Sequence, residues 1–270
     1  MVSPLLVKGA KLGREIAEVS PRSAGWDYVG FRALRLQAGE SESLGSGSRE
    51  LCVVVLCGTV DVDVEGTLHK GLGVRDSVFD AVAPGALYVP SGRGVRIVAR
   101  RNAEIALCSA PCDDQARQVK RIDPSLMRRS IRGSGSNSRQ VCDILPQDEP
   151  CAAHLLVVEV ITPAGHSSSY PPHKHDVERP PQETFLEETY YHRLNPSQGF
   201  AFQRVYTDDR SLDEACAVED HDVVMVPRGY HPVVAPHGYD LYYLNVMAGP
   251  KRNWIFYNDP SHEWMLESKR

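Results

Sequence analysis

LCVVVLCGTVDVDVEG, residues 51–66, reads as two strands and the turn between them. Residues 51–57 form an aliphatic, β-branched run. Gly58-Thr59 breaks it, and Val60-Asp61-Val62-Asp63-Val64 then alternates with period two, one face in and one face out. The same signature recurs on both sides of it. ALYVP (86–90) and GVRIVAR (94–100) follow in the first half. HLLVVEVIT (154–162), ETYYHRL (188–194), GFAFQRVYT (199–207), DVVMVPRG (222–229), YHPVVA (230–235) and LYYLNVM (241–247) fill the second. Helical periodicity is scarce; residues 113–129 are the one stretch expected to form a short helix. The pattern predicts an all-β protein.

A weak internal repeat supports two copies of one β unit. Val89-Pro-Ser-Gly-Arg-Gly-Val-Arg-Ile-Val-Ala99 aligns with Val226-Pro-Arg-Gly-Tyr-His-Pro-Val-Val-Ala235 after a one-residue slip. Each is a strand, a Pro-x-Gly turn and a strand, as in a duplicated sandwich or barrel. The expected division is 1–115, a connector at 116–150, and 151–270. The connector differs in composition: Arg117–Arg139 carries seven Lys/Arg and the single acid Asp123, and RGSGSNSR (132–139) is rich in Gly and Ser. It reads first as a flexible linker, and second as an ordered loop offering Arg and N–H groups to an anion.

A chain of 270 residues buries roughly three-quarters of its unfolded surface and needs no disulfide or metal staple. Its 30 Lys+Arg against 35 Asp+Glu give a net charge of −5, which argues against a nucleic-acid partner. No 18-residue apolar run is present, so no membrane span is expected, and the first residues lack the apolar core of a signal peptide. Seven scattered cysteines without a CxxC motif suit free thiols in a reducing cytosol. Neither a Rossmann fingerprint nor a P-loop is found.

Nine of the ten histidines lie after residue 150. His173-Lys174-His175 is the informative pair, because residues i and i+2 of a strand share a face and aim two imidazoles at one point. Glu188 opens ETYYHRL and His231 follows the Pro227-Arg228-Gly229 turn. Three neutral imidazoles and a carboxylate suit a divalent metal: zinc first, with Mn, Fe, Ni or Co as alternatives. Gly165…His173-x-His175…Glu188…Gly199 and Asp220…Pro227-x-Gly229-x-His231…Asn245 resemble the two cupin motifs. The gap from His175 to Glu188 exceeds the usual cupin spacing; DVERPPQETFLE (176–187) reads as an inserted loop, with Glu183 and Glu187 as substitute ligands. The first half has no His-x-His, and Gly94 stands where His231 stands in the second copy, so the N-terminal unit is expected to lack metal.

Longer strings narrow the resemblance. SSYPPHKHD (168–176), LEETYYHRLNPSQGFAFQRVYTDDRSLDE (186–214), VPRGYHPVVAPHGYDLYYLNVMAG (226–249) and NDPSHEW (258–264) are similar to the 5-deoxy-glucuronate isomerase family of bicupin proteins. RGSGSNSRQVCDILP (132–146) resembles that family's inter-domain segment. The resemblance implies two tandem jelly-roll domains and a cytoplasmic aldose–ketose isomerase of myo-inositol catabolism with a uronate-type substrate. For the proton-transfer base, Glu183, Glu187, His192, Tyr206 and Lys174 are open choices. For the substrate carboxylate, Arg132, Arg139, Arg204 and Arg228 are the cations to weigh. Arg204 would share a face with Phe202; whether that face is core or rim stays open. Lys174, on the strand face opposite the two imidazoles, is expected to be solvated. Tyr243 and Asn245 share a face that could line the barrel mouth. The same ligands would also serve an Fe(II) oxygenase, and a sugar-acid sensor is a third reading. A homo-oligomer is compatible with exposed sheet edges.

Overall fold

The aliphatic run at 51–57 lies in the strand Arg49–Cys57, inside a six-stranded sheet, and its alternate residues enter two different cores. Leu51, Val53 and Val55 pack with Val60, Val62, Val64 and Ile97. Cys52, Val54 and Leu56 pack on the other side with Phe31, Tyr88, Tyr191 and Tyr242. Both faces are covered, so no polar residue interrupts the run. The structure, a computed structural model, describes residues 2–114 and 116–267.

In the six-stranded sheet the order is Lys120–Ile122, Gly85–Val89, Arg49–Cys57, Ala103–Pro111, Gly30–Leu36, Glu15–Val19. A four-stranded sheet of Ser41–Gly45, Gly94–Ala99, Val60–Val64 and Thr67–Leu72 closes the first sandwich. The second sandwich repeats the plan. Its large sheet runs Leu6–Val7, Val223–Val226, Glu187–Asn195, Asp240–Ala248, Leu156–Thr162, Arg139–Leu145, Arg128–Arg132. Its small sheet holds Ser167–Ser168, Val233–Val234, Phe200–Tyr206 and Asp213–Glu219. The two large sheets stack back to back, and the residues between them form a third core that spans both halves. This is the expected all-β tandem architecture. No helix among the described residues is long and apolar enough to cross a membrane.

Strand pairing crosses the expected division of the chain. Leu6–Val7 pairs with Val223–Val224 in the second sandwich. Lys120–Ile122 adds to the first sandwich and Arg128–Arg132 to the second. The stretch 132–139 is therefore no linker. It is the turn of a hairpin between Arg128–Arg132 and Arg139–Leu145, with one 3₁₀ turn at Gly135–Asn137. Asp143 on the hairpin takes Arg128 at 2.7 Å and Arg132 at 3.2 Å. The helix expected at 113–129 is also absent from the described residues. Ile122 is drawn into the sheet, and Asp123 caps only a single 3₁₀ turn at Pro124–Leu126.

The repeat motif maps onto equivalent places in the two sandwiches. Gly92 and Gly229 take the left-handed turn at φ 78° and 92°, and a Cβ on Gly229 would meet the carbonyl of Tyr206 at 2.5 Å. Leu51 lies opposite Val89 as Glu188 lies opposite Val226. Leu51 and Gly94 thus stand in the first sandwich where Glu188 and His231 stand in the second.

Candidate metal centre

His173–Lys174 is a short strand paired to Tyr257–Asn258, and it sends the imidazoles of His173 and His175 to one side. Three ligand groups converge: His175, Glu188 and His231 each place a nitrogen or oxygen within 4.8 Å of the others, and all are buried. Glu188 Oε2 is 3.1 Å from His175 Nε2 and 3.3 Å from His231 Nε2. The His173 ring stands edge-on to His231 with centroids 4.9 Å apart, and lies 6.5 Å from His175. Phe256 covers its other side at 4.7 Å.

Each imidazole is oriented from behind by a backbone carbonyl. His175 Nδ1 contacts Leu186 O at 2.9 Å, His231 Nδ1 contacts Gly229 O at 2.9 Å, and His173 Nδ1 contacts Pro171 O at 3.4 Å. A carbonyl only accepts, so Nδ1 carries a proton, and Nε2 is the atom that each imidazole presents to the centre. Burial holds His173 and His231 neutral, down to about 3. For His175, burial also opposes charge, but the Glu188 carboxylate outweighs it and raises the pKa. Burial disfavours charge on Glu188 too, yet His231 and His175 pull its pKa down. Asn245 donates to Glu188 Oε1 and fixes the carboxylate. The Nε2 of His231 is buried without a hydrogen-bond partner. Buried polar atoms are normally satisfied, and a cation among these donors would satisfy this one. The residues fit a divalent metal.

A cavity of about 670 Å³ opens onto the cluster. His173, Tyr190, Tyr243 and Asn245 form its inner wall, and Arg139 and Arg132 stand on the strands of the hairpin. Tyr170, Trp254, Phe256 and Asn258 complete its rim. Among the described residues Arg139 Nη1 hydrogen-bonds only Asn137, at 3.1 Å to O and 3.2 Å to Oδ1. No carboxylate pairs with it among the described residues, and burial lowers its pKa. Burial likewise raises the phenols of Tyr190 and Tyr243, so both stay protonated at neutral pH. Ser169, at φ 55°, sets its hydroxyl 3.3 Å from Tyr190 Oη.

Seven residues weighed as the base or as the carboxylate's cation lie elsewhere. Glu183 is fully buried, and its Oε1 accepts the N–H groups of Asp176 (2.8 Å) and Val177 (3.2 Å), tying down the inserted loop. His192 stacks behind Tyr190 at 6.0 Å and bonds Gln203 Oε1 at 3.0 Å. Tyr206 donates to Asp259 at 2.8 Å. Arg204 shares the exposed face of Phe200 and Phe202 and is paired twice with Asp213 at 2.7 Å. Among the described residues Arg228 hydrogen-bonds only Ser211, at 3.4 Å. Lys174 is not solvated: it is buried and paired with Asp176 (3.0 Å) and Asp208 (2.9 Å). Glu187 turns away from the centre, to the N–H groups of residues 27–29. Ser169, Tyr170, Trp254, Phe256 and Asn258 were not singled out from the sequence. The positive φ of Ser169 and the return of the C-terminal segment across the mouth exist only in three dimensions.

Two stacked β-sandwiches, one of them carrying a His/His/Glu/His cluster at a cavity, define a bicupin protein. The chain belongs to the KduI/IolB family, whose model matches residues 5–265. It is 48% identical over 254 residues to a 5-deoxy-glucuronate isomerase of Geobacillus kaustophilus, covering 94% of this chain and 91% of that one. It is 47% identical over 261 residues to the 5-deoxy-glucuronate isomerase of Bacillus subtilis, covering 96% and 94%. The crystal structure of an IolB-like protein from Salmonella typhimurium superposes with a TM-score of 0.95 at 47% identity, over 97% of this chain and 99% of that one. An oxalate decarboxylase of Lactobacillus farciminis shares the fold alone, at TM-score 0.66 and 14% identity.

Proposed function

We propose that this protein is the aldose–ketose isomerase that converts 5-deoxy-D-glucuronate to 5-dehydro-2-deoxy-D-gluconate, a cytoplasmic step of myo-inositol catabolism. The observation that carries the reading is the polarity of the cavity. A metal-type cluster closes one end, and the unpaired guanidinium of Arg139 stands on its wall. A uronate sugar has the matching chemistry, with a carboxylate at one end and an aldehyde beside a hydroxyl at the other. Relatives at 46–48% identity that carry the isomerase name support it.

His173, His175, Glu188 and His231 would hold the divalent cation, zinc first among Mn, Fe, Ni and Co. When bound, the cation supplies Lewis-acid polarisation of a carbonyl and its neighbouring hydroxyl. Arg139 binds the carboxylate with two parallel N–H bonds. Arg132 is held back by Asp143 and adds field rather than a contact. Tyr190 and Tyr243, kept protonated, donate hydrogen bonds to sugar oxygens and stabilise negative charge that grows there. Asn245 keeps the Glu188 carboxylate in place, and the aromatic rim of Trp254 and Phe256 limits the entry of water. The carbon proton moves between C2 and C1 with no net redox.

The test is proton NMR of the metal-loaded protein with 5-deoxy-D-glucuronate in D₂O without oxygen. Conversion to the ketose is expected, and deuterium at the new carbinol carbon would report a base that exchanges with solvent. No conversion would overturn the reading; turnover that required oxygen would transfer the protein to the oxygenases.

A further inference from the structure

The first sandwich lacks the ligands, yet it grips the residue beside one of them. Glu187 is 3% exposed. Its Oε1 accepts the N–H of Asp27 at 2.8 Å, and its Oε2 accepts those of Tyr28 at 2.7 Å and Val29 at 2.9 Å. The neighbouring side chain in the strand, Glu188, points the other way, into the centre. The grip extends back along the chain to Phe185. Tyr28 packs edge-on against Phe185, with centroids 6.4 Å apart. Leu186 lies between, and its carbonyl orients His175. Phe185 O lies so close to Gly249 that a Cβ there would sit 2.1 Å away, which leaves the segment no slack.

The duplication supplies a matched control. Glu50 stands in the first sandwich where Glu187 stands in the second, one residue before Leu51 as Glu187 is one before Glu188. It returns the same grip. Glu50 accepts the N–H groups of Ala153 (2.7 Å), His154 (2.7 Å) and Leu155 (2.6 Å). The two clasps bind the halves alike, but only one adjoins a ligand.

From this we infer that Glu187 is a positioning residue of the metal centre: by anchoring Phe185–Glu188 to loop 27–29, the ligand-free sandwich sets the Glu188 carboxylate and the carbonyl behind His175. The inference rests on the metal reading above. Groups that orient ligands typically cost 10–100-fold in metal affinity when removed, so Glu187→Gln should raise the dissociation constant for Zn²⁺ by about 10-fold or more. Glu50→Gln should lower the melting temperature at least as much, since Glu50 also holds Tyr88 Oη at 2.9 Å, and should leave Zn²⁺ affinity within about 2-fold of wild type. The measurement is calorimetric titration of the metal-stripped full chain with Zn²⁺, beside thermal melts. Equal weakening in both variants, or none in Glu187→Gln, would overturn the inference. If Glu187→Gln does not fold, Glu187→Asp against Glu50→Asp is read by the same rule. A wild-type protein that bound no Zn²⁺ would overturn the metal reading first, and this inference with it.

Discussion

Arg75 and Glu159 form a two-bonded ion pair between the stacked large sheets, Nη1 to Oε1 at 3.0 Å and Nη2 to Oε2 at 2.9 Å. Their side chains are 1% and 7% exposed. Arg75 also bonds Leu56 O at 2.6 Å, and Tyr242 Oη donates to Glu159 at 3.0 Å. The contact is thus almost wholly removed from water and densely hydrogen-bonded.

Removing one partner leaves the other charge stranded, which costs about 3–5 kcal/mol. Arg75→Met should lower the melting temperature by roughly 6–20 °C, at about 2–4 °C per kcal/mol for a chain near this size. The double variant Arg75→Met/Glu159→Leu should recover much of that loss. Scanning calorimetry of the two proteins decides it; a double variant no more stable than the single one would contradict the argument.

A second joint between the sandwiches responds to pH. Glu104 of the first accepts Arg193 at 2.8 Å and Tyr191 Oη at 2.7 Å, and faces His221 at 3.3 Å. Burial disfavours its charge, but His221 and Arg193 outweigh that and lower its pKa below 4.5. Burial also opposes charge on His221, while Asp220 and Glu104 raise its pKa above 6.5. A lowered carboxylate stabilises above the unfolded pKa, and this is lost as pH falls through the folded value; a raised histidine stabilises below its unfolded pKa, and this is lost as pH rises through the folded value. Both contributions are complete between about pH 4.5 and 6.5. In melts across pH, Glu104→Gln should flatten the acid limb relative to wild type, and His221→Gln the alkaline limb.

At the centre itself, His175→Ala and His231→Ala should lose metal and activity together. Activity should fall more than about 100-fold, beyond the range typical of residues that only orient ligands. Elemental analysis beside rate assays reads both; full activity in metal-free His231→Ala would exclude the cluster from the reaction.

Arg139 and Arg204 give opposite expectations. Hydrogen bonds to a charged group contribute about 1.5–3 kcal/mol, so Arg139→Gln should lower kcat/KM for the uronate by roughly 10–100-fold, mainly through KM. Arg204→Ala removes an exposed pair with Asp213 and should change KM less than about 2-fold. Steady-state kinetics of both variants separates carboxylate recognition from a surface ion pair.

Strand after strand was legible: 60–64 by its alternation, and 51–57 and 241–247 as largely apolar runs that are covered on both faces. The i, i+2 spacing of His173 and His175, the position of Glu188 at a strand's start and of His231 after a Pro-x-Gly turn were equally local, and the long family strings carried the fold and the isomerase reading. What local pattern leaves open is which compartment a face meets. Period two says that Arg204 shares a side with Phe202, and only the stacking of sheets makes that side the outside. Tyr190 and Tyr191 are adjacent; one reaches the cavity, the other a core between two sandwiches that the sequence does not announce. The basic Gly/Ser stretch at 132–139 looked like a linker because composition records solvent exposure, and a hairpin turn is as exposed as a linker; its pairing brought Arg139 to the cavity. Glu183, His192 and Tyr206 carry the right chemistry, but partners distant in the chain (Gln203, Asp259) or across a folded loop (Asp176) claim them. The candidate ligand set thus followed from short-range geometry, while the choice among arginines and carboxylates was made by contacts that form only when the sheets close on one another.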